Sequence, residues 1–409
     1  MTTVLFLGLL GSTPSWAQRI ACTQQAFEDA IQNACPSGDT TITFDCRDTT
    51  IPISTSSDRG NRVITCDDVV IDGEDRNITI EQDPPCFEGG TCPDTEGGAW
   101  FVSLRGDRGV VRNLAVNYFF EGIHVDSGDD NIVENISFDR HCDDAFTNYH
   151  DTRRTIFRNS TVRNACDKAI QLYGSSSISS SVWNATIDNV TFTNCNDPIR
   201  MGDTPSQRGR FHIKNVTVND PSGGLFFCGY NQWDGGAYIL MEDSTVEGCK
   251  GWNIHGAMEV RLSNNTFRDN VMRGVLVYGT AKVSLDGNTF SDNGGSSSSN
   301  DGYGGVAVKG DGQIDLGGGS LEIDGTTVSS PGNNVLYGNR GPGDSTLDVE
   351  NATSATVRAE NNWWGDLDPS DQVSGSVDHN PFLDGPPGGG GGSTPPEDVS
   401  NLRRTDRRP

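Results

Sequence analysis

The sequence predicts an all-β fold, a right-handed parallel β-helix capped at its N-terminal end by one helix. Three observations predict it. A short motif recurs from about residue 100: an apolar residue, a spacer, Asn or a substitute, then a small or apolar pair. It reads Val111-Arg-Asn-Leu-Ala-Val116, Val133-Glu-Asn-Ile-Ser-Phe138, Ile187-Asp-Asn-Val-Thr-Phe192 and Leu262-Ser-Asn-Asn-Thr-Phe267. With Asn113, Asn135, Asn159, Asn189, Asn215, Asp243, Asn264 and Gly287 as equivalents, the intervals are 22, 24, 30, 26, 28, 21 and 23. Between the motifs lies a second alternating stretch, such as Gly122-Ile-His-Val125 or Ala169-Ile-Gln-Leu172, and no helical pattern. A period of roughly 20–30 residues with two or three short strands gives coils that bury their apolar side chains only by stacking.

The elements follow in order. Val4-Leu-Phe-Leu-Gly-Leu-Leu10 and the small residues up to Ala17 read as a secretory signal over 1–17. No positive n-region precedes them, so the start reads as truncated. Residues 18–99 read as a Cys-rich cap with the first coils. An amphipathic helix over Thr23–Asn33 is placed to cover the open end of the solenoid, and Thr40–Phe44 is the first full strand. Residues 100–384 are the β-helix proper. Trp363-Trp364 near its end suit a cap. Residues 385–409, with Pro-Pro and a run of Gly, are linker and disordered tail.

The recurrent Asn is expected at an inward bend, its amide paired with those of neighbouring coils. The sequons at Asn135, Asn159, Asn189 and Asn215 fall on this expected buried ladder and so read as structural. Eleven cysteines in an exported chain predict disulfides. Six crowd the first quarter, whereas Cys142, Cys166 and Cys195 fall at matching repeat positions, as for stacked, buried thiols.

The formal charge of -26, with only five lysines, leaves no basic patch for nucleic-acid phosphates and is compatible with divalent cations. No stretch approaches the length of a membrane span. A secreted monomer acting on a polymer fits these features.

The charged residues of 121–200 recur at one register. Coils rise by about 4.8 Å. Asp143 and Asp144, then Asp167 and Lys168, then Asp197 and Arg200 therefore share a patch, extended by Glu121. Carboxylates that close repel one another unless a hard cation lies among them. Ca²⁺ tolerates about six to eight oxygens in flexible geometry. Glu121, Asp143, Asp144 and Asp167 are the expected ligands. On a polyuronate, Ca²⁺ held by the C6 carboxylate acidifies the proton at C5. Lys168 is then the expected base for β-elimination, with Arg200 stabilising the developing charge or sharing the deprotonation. That role requires a lowered Lys168 pKa. Two other readings stay open. One is a hydrolase using Asp143, Asp144 and Asp167 on a pectin-like polymer; the other is a non-catalytic, carbohydrate-binding or surface β-helix.

Glu121-Gly-Ile-His124, Cys142-Asp-Asp-Ala-Phe-Thr147, Ala165-Cys-Asp-Lys-Ala-Ile-Gln171 and Pro198-Ile-Arg200 resemble the ordered motifs of the compact secreted pectate lyases of polysaccharide lyase family three. The resemblance covers about residues 110–202. It implies a calcium-dependent parallel β-helix acting on polygalacturonate. Glu121, Asp143 and Asp144 then stand at Ca²⁺-binding positions, Lys168 at a catalytic Lys and Arg200 at a substrate-holding Arg. Two of that family's cationic positions are absent: Asn148-Tyr-His150 stands at one and Asp197 at the other. His150 and Arg153 or Arg154 are candidates to compensate. Asp197 and Trp233, within Gln232-Trp-Asp-Gly235, are further candidates for substrate contact, as are Tyr230, Trp252, His255 and Glu259.

Overall fold

The computed structural model describes residues 16–37, 40–54, 62–86, 100–149, 152–174, 182–201, 209–219, 225–229, 236–294, 303–365 and 368–387. Alternating strands such as Ile132–Asp139 and Ala185–Thr193 send every second side chain inward. No single coil can cover that apolar face. The coils therefore stack in parallel, each strand bonding to its counterpart one coil on. Twelve strands from Val63–Ile64 to Val373–Ser374 make one flat sheet. It includes Trp100–Leu104, Glu121–Val125, Phe146–Asn148, Lys168–Leu172 and Asp197–Met201. The remaining long strands form a second sheet that bends within each coil. Ile123, Phe146, Ile170 and Ile199 are register partners in the first sheet, and all are fully buried.

The expected helix forms over Gln24–Ser37, a turn longer than its sequence pattern, with the Thr23 hydroxyl accepting from the Ala26 amide at 3.3 Å. Its Phe27 stacks on Phe101 (5.5 Å), and a buried Arg62–Glu28 ion pair (2.8 Å) ties it to the first coils. Near the far end Trp364 is buried and Trp363 packs on Tyr337 at 5.9 Å, while the short strands Val373–Ser374 and Val377–Asp378 stack one coil further on.

The Asn ladder exists, but it lies on the outside. Asn113, Asn135, Asn159, Asn189, Asn215 and Asn264 all have φ between 52° and 61°. Asn135 donates to Asn113 (3.1 Å) and Asn189 to Asn159 (2.9 Å), yet the carboxamides are solvent-facing. The left-handed bend at each corner turns that residue outward and the next one inward. Inner positions are therefore Leu114, Ile136, Ser160, Val190, Val216 and Ser244, continued by Asn265, Asn288, Asn334 and Asn362. These last four form the buried amide ladder, with Asn265 Nδ2 donating to Asn288 Oδ1 at 3.0 Å and Asn334 Nδ2 to Asn362 Oδ1 at 2.9 Å. A second inner file runs Asn270, Asn293, Asn339 and ends on Asp348. The four sequon asparagines are thus exposed corner residues, not buried ones.

The cysteines also depart from expectation. Cys22–Cys46 and Cys35–Cys66 staple the cap, while Cys86 reaches Cys142, and Cys166 is disulfide-bonded too. Of the three repeat-position cysteines, Cys195 alone stays a buried thiol outside these bridges. Residues 1–15 and 388–409, which carry most of the expected signal and tail, lie outside the described residues. No described helix is long and apolar enough to cross a membrane.

Candidate functional site

The first residues of successive strands of the flat sheet converge. Register pairs Trp100 with Glu121 and Lys168 with Asp197, while Ile123 opposite Phe146 and Phe146 opposite Ile170 bring Asp144 between Glu121 and Lys168. Each of these positions lies two residues before a core residue, so the side chains start in phase with the core. Asp144 and Lys168 are buried, while Trp100, Glu121 and Asp197 end half-buried at its rim. The coils approach closely here: a Cβ added at Gly122 would lie 2.1 Å from the Ala145 carbonyl oxygen. The Gly122 amide donates to the Asp144 carbonyl at 2.7 Å, and the Asp197 amide to that of Asp167 at 2.9 Å. Cys142 and Cys166, each bridged, immediately precede the two acidic positions and fix their backbone.

Lys168 is the centre of the cluster. Its ammonium donates to Asp143 Oδ1 (2.6 Å) and Asp167 Oδ2 (2.7 Å), and lies 3.3 Å from Asp144 Oδ1. Arg200 Nη1 is 3.7 Å from Asp167 Oδ1. Asp144 is buried, and its other oxygen accepts from the Thr147 hydroxyl at 3.0 Å. On its far side, Glu121 Oε2 lies 3.4 Å from His124 Nε2.

This packing sets the protonation states. Burial opposes the charge on Lys168, but the Asp144 and Asp143 carboxylates and the two hydrogen bonds outweigh it, so its pKa is raised. Burial lifts Asp144 well above the usual carboxylate range, with Lys168 opposing. Burial also pushes Asp197 up to about 6, Arg200 pulling the other way. Asp167 is subject to burial as well. The Lys168 hydrogen bond and the Lys168 and Arg200 charges overcome it, so Asp167 is held below its ordinary value. The cluster therefore contains carboxyl groups driven toward opposite protonation states.

Glu121, Asp143 and Asp144 present carboxylate oxygens within 4.8 Å of one another, a set able to hold a divalent ion. Asp143 and Asp144 already share the Lys168 ammonium, however, so an ion seated among all three would displace or shift that side chain. Asp167 shares the same ammonium and is not part of that trio.

The other candidates separate. Arg153 pairs with Asp129 (3.1 Å) in the turn between the sheets, half-exposed, and Arg154 with Asp130 (2.6 Å). Both are engaged by these turn carboxylates. Trp252 is fully buried in the core, His255 stacks on Tyr278 (5.1 Å) and Glu259 pairs with Lys282 (2.9 Å). His150, Tyr230 and Trp233 lie outside the described residues.

Sequence reasoning passed over the aromatic wall beside the cluster. Trp100 meets His124 edge-on (4.8 Å), His124 meets Tyr149 (5.3 Å), and Tyr149 stacks on Tyr173 at 5.0 Å and 6°. The signal was present: Tyr149 and Tyr173 are 24 residues apart, the interval that separates Asn135 from Asn159.

A family profile described as "Right handed beta helix region" matches residues 146–321. No curated protein matches significantly. Among solved structures, an alginate lyase from Paenibacillus sp. is similar at 15% identity and a TM-score of 0.43, covering 88% of this chain and 98% of that one. The A-module of the Azotobacter vinelandii mannuronan C-5 epimerase AlgE4 gives 12% and 0.47, with 89% and 94% covered. A GH87 α-1,3-glucanase from Streptomyces thermodiastaticus gives 13% and 0.49, with 92% and 71% covered. None of these likenesses is close enough to carry an activity to this chain. The stacked parallel coils, the single capping helix and the matching profile make the chain an all-β right-handed parallel β-helix.

Proposed function

We propose that the chain is a polysaccharide-active enzyme that cleaves glycosidic bonds by hydrolysis, using the carboxylates around Lys168. The observation that carries this reading is the triple ion pairing of Lys168. A general base must give up its proton, and three carboxylates hold this one in place. A pair of carboxyl groups driven toward opposite protonation states is what hydrolysis requires. Asp197, with a pKa of about 6, donates its proton to the glycosidic oxygen as the bond to the anomeric carbon breaks. Asp167, held ionised, takes a proton from the water that attacks that carbon. Lys168 keeps the cluster neutral enough to fold, and Arg200 orients Asp167. The leader-like first residues and the disulfides support export from the cell.

The test is the pH dependence of reducing-end release from polygalacturonate, pectin, alginate and an uncharged α-glucan. Activity should fall as pH rises through about 6, where Asp197 loses its proton. Asp197→Asn should lower kcat roughly 10²–10⁴-fold and abolish that limb. An Asp197→Asn enzyme with wild-type rate and profile would overturn the assignment.

A second reading is favoured by the Glu121, Asp143 and Asp144 trio. In it Ca²⁺ binds there and the reaction is β-elimination on a polyuronate such as polygalacturonate. The ion would neutralise the substrate carboxylate. Lys168, released from Asp143 and Asp144, would face C5, with Arg200 beside it. This reading requires activity that vanishes in chelator and products with a C4=C5 double bond.

A further inference from the structure

We infer that the substrate of this site is an uncharged glycan, bound along the coil axis against the aromatic wall, and not an acidic one. The inference rests on the hydrolytic reading above.

The first observation is the charge of the cleft. Glu121, Asp143, Asp144, Asp167 and Asp197 face it with five carboxyl groups. Among the described residues the cations near them are Lys168, Arg200 and Lys250, the last acting on Asp197 from an exposed position. Even with Asp144 and Asp197 protonated, as burial favours, the three remaining carboxylates balance the three bases, so the cleft holds no positive excess for a sugar acid. Lys168 is moreover engaged by three carboxylates and Arg200 by a fourth contact, to Asp167, so neither cation is a bare counter-ion for an incoming sugar acid. A polyuronate brings one carboxylate per residue, about one per coil rise, into that field. The second observation is independent: the molecule as a whole carries a formal charge of -26, so its long-range field repels a polyanion before contact.

What the cleft does offer suits a neutral sugar. Trp100, His124, Tyr149 and Tyr173 form a continuous file of partly exposed and buried rings beside the acids, one per coil. Aromatic rings with polar edges match the mixed C–H and hydroxyl surface of a pyranose. Gln171, register partner of Thr147 and of Arg200, adds an uncharged amide on the same sheet face.

The experiment uses the whole chain in chelator. The matched probes are polygalacturonate and the same polymer with its carboxyls reduced to hydroxymethyl groups. They are assayed beside alginate and neutral α- and β-glucans. The expected result is at least a ten-fold higher kcat/KM on uncharged members. Their turnover should be insensitive to salt, while any residual action on acidic members rises as salt shortens the Debye length from about 30 to about 10 Å. Tyr173→Ala should raise KM on the neutral polymer with kcat kept within about three-fold. Faster release of saturated reducing ends from an acidic member overturns the substrate class and leaves the hydrolytic reading standing. Unsaturated ends, or cleavage of no member, overturn both.

Discussion

Asp348 ends the second inner amide file, completely buried, where the Asn339 side chain donates to Oδ1 at 2.6 Å and the Gln372 amide is within reach of the other oxygen. Burial, with Asp292 and Asp371 adding repulsion, outweighs the Asn339 hydrogen bonds and pushes its pKa from 3.8 up to about 7. Between these values only the folded state holds the proton. Stability is therefore full below the unfolded pKa and falls as pH rises toward 7. The shift is about three units, each worth about 1.4 kcal/mol, so the loss is at most about 4 kcal/mol. Asp348→Asn keeps the shape and the acceptor for Asn339 and removes the charge. The variant should be more stable than wild type by roughly 2–4 kcal/mol near pH 8 and within about 1 kcal/mol of it near pH 4. Urea unfolding followed by tryptophan fluorescence reads this, since Trp363 and Trp364 are buried and the Trp364 carbonyl lies beside Gln372. A variant less stable than wild type near pH 8 would refute the reasoning. It would mean that the Asn339 donors stabilise an ionised Asp348.

Lys168→Arg keeps a cation among Asp143, Asp144 and Asp167 but cannot act as a base; hydrolysis should persist within about ten-fold, whereas a catalytic base would cost roughly 10²–10⁴. Asn265→Ala removes a buried amide that accepts from the Ser244 amide and donates to Met241 and Asn288, and should cost about 3 kcal/mol or more in chemical denaturation. Asn189→Gly, at an exposed corner with φ of 55°, should cost less than about 1 kcal/mol; equal losses would erase the distinction between the outer and inner ladders. Reducing Cys86–Cys142, which closes 56 residues, should lower stability by about 4 kcal/mol in the chain-entropy limit and loosen Asp143; unchanged unfolding would place that strand's order elsewhere.

The coil repeat was legible because stacking imposes one pattern on every turn, and the Asn at each corner marks it. The face that Asn presents was not legible from the motif alone. A left-handed φ suits Asn for backbone reasons, and it rotates the side chain outward while the following residue enters the core. A finer signal did exist: where the following residue is itself Asn, as in Asn264-Asn265, Asn333-Asn334 and Asn361-Asn362, the inner ladder begins. The convergence of Glu121, Asp143, Asp144, Lys168 and Arg200 could be read from register. The protonation of Lys168 could not, because it depends on three distances shorter than any sequence interval resolves. Cys86 has no repeat position, so nothing in the spacing pairs it with Cys142.

The most direct measurement is the chemistry of the product. Polysaccharide treated in chelator should yield new reducing ends with no ultraviolet absorbance from a C4=C5 double bond. Absorbing products that form only when Ca²⁺ is restored would contradict the hydrolytic account and return Lys168 to the role of base.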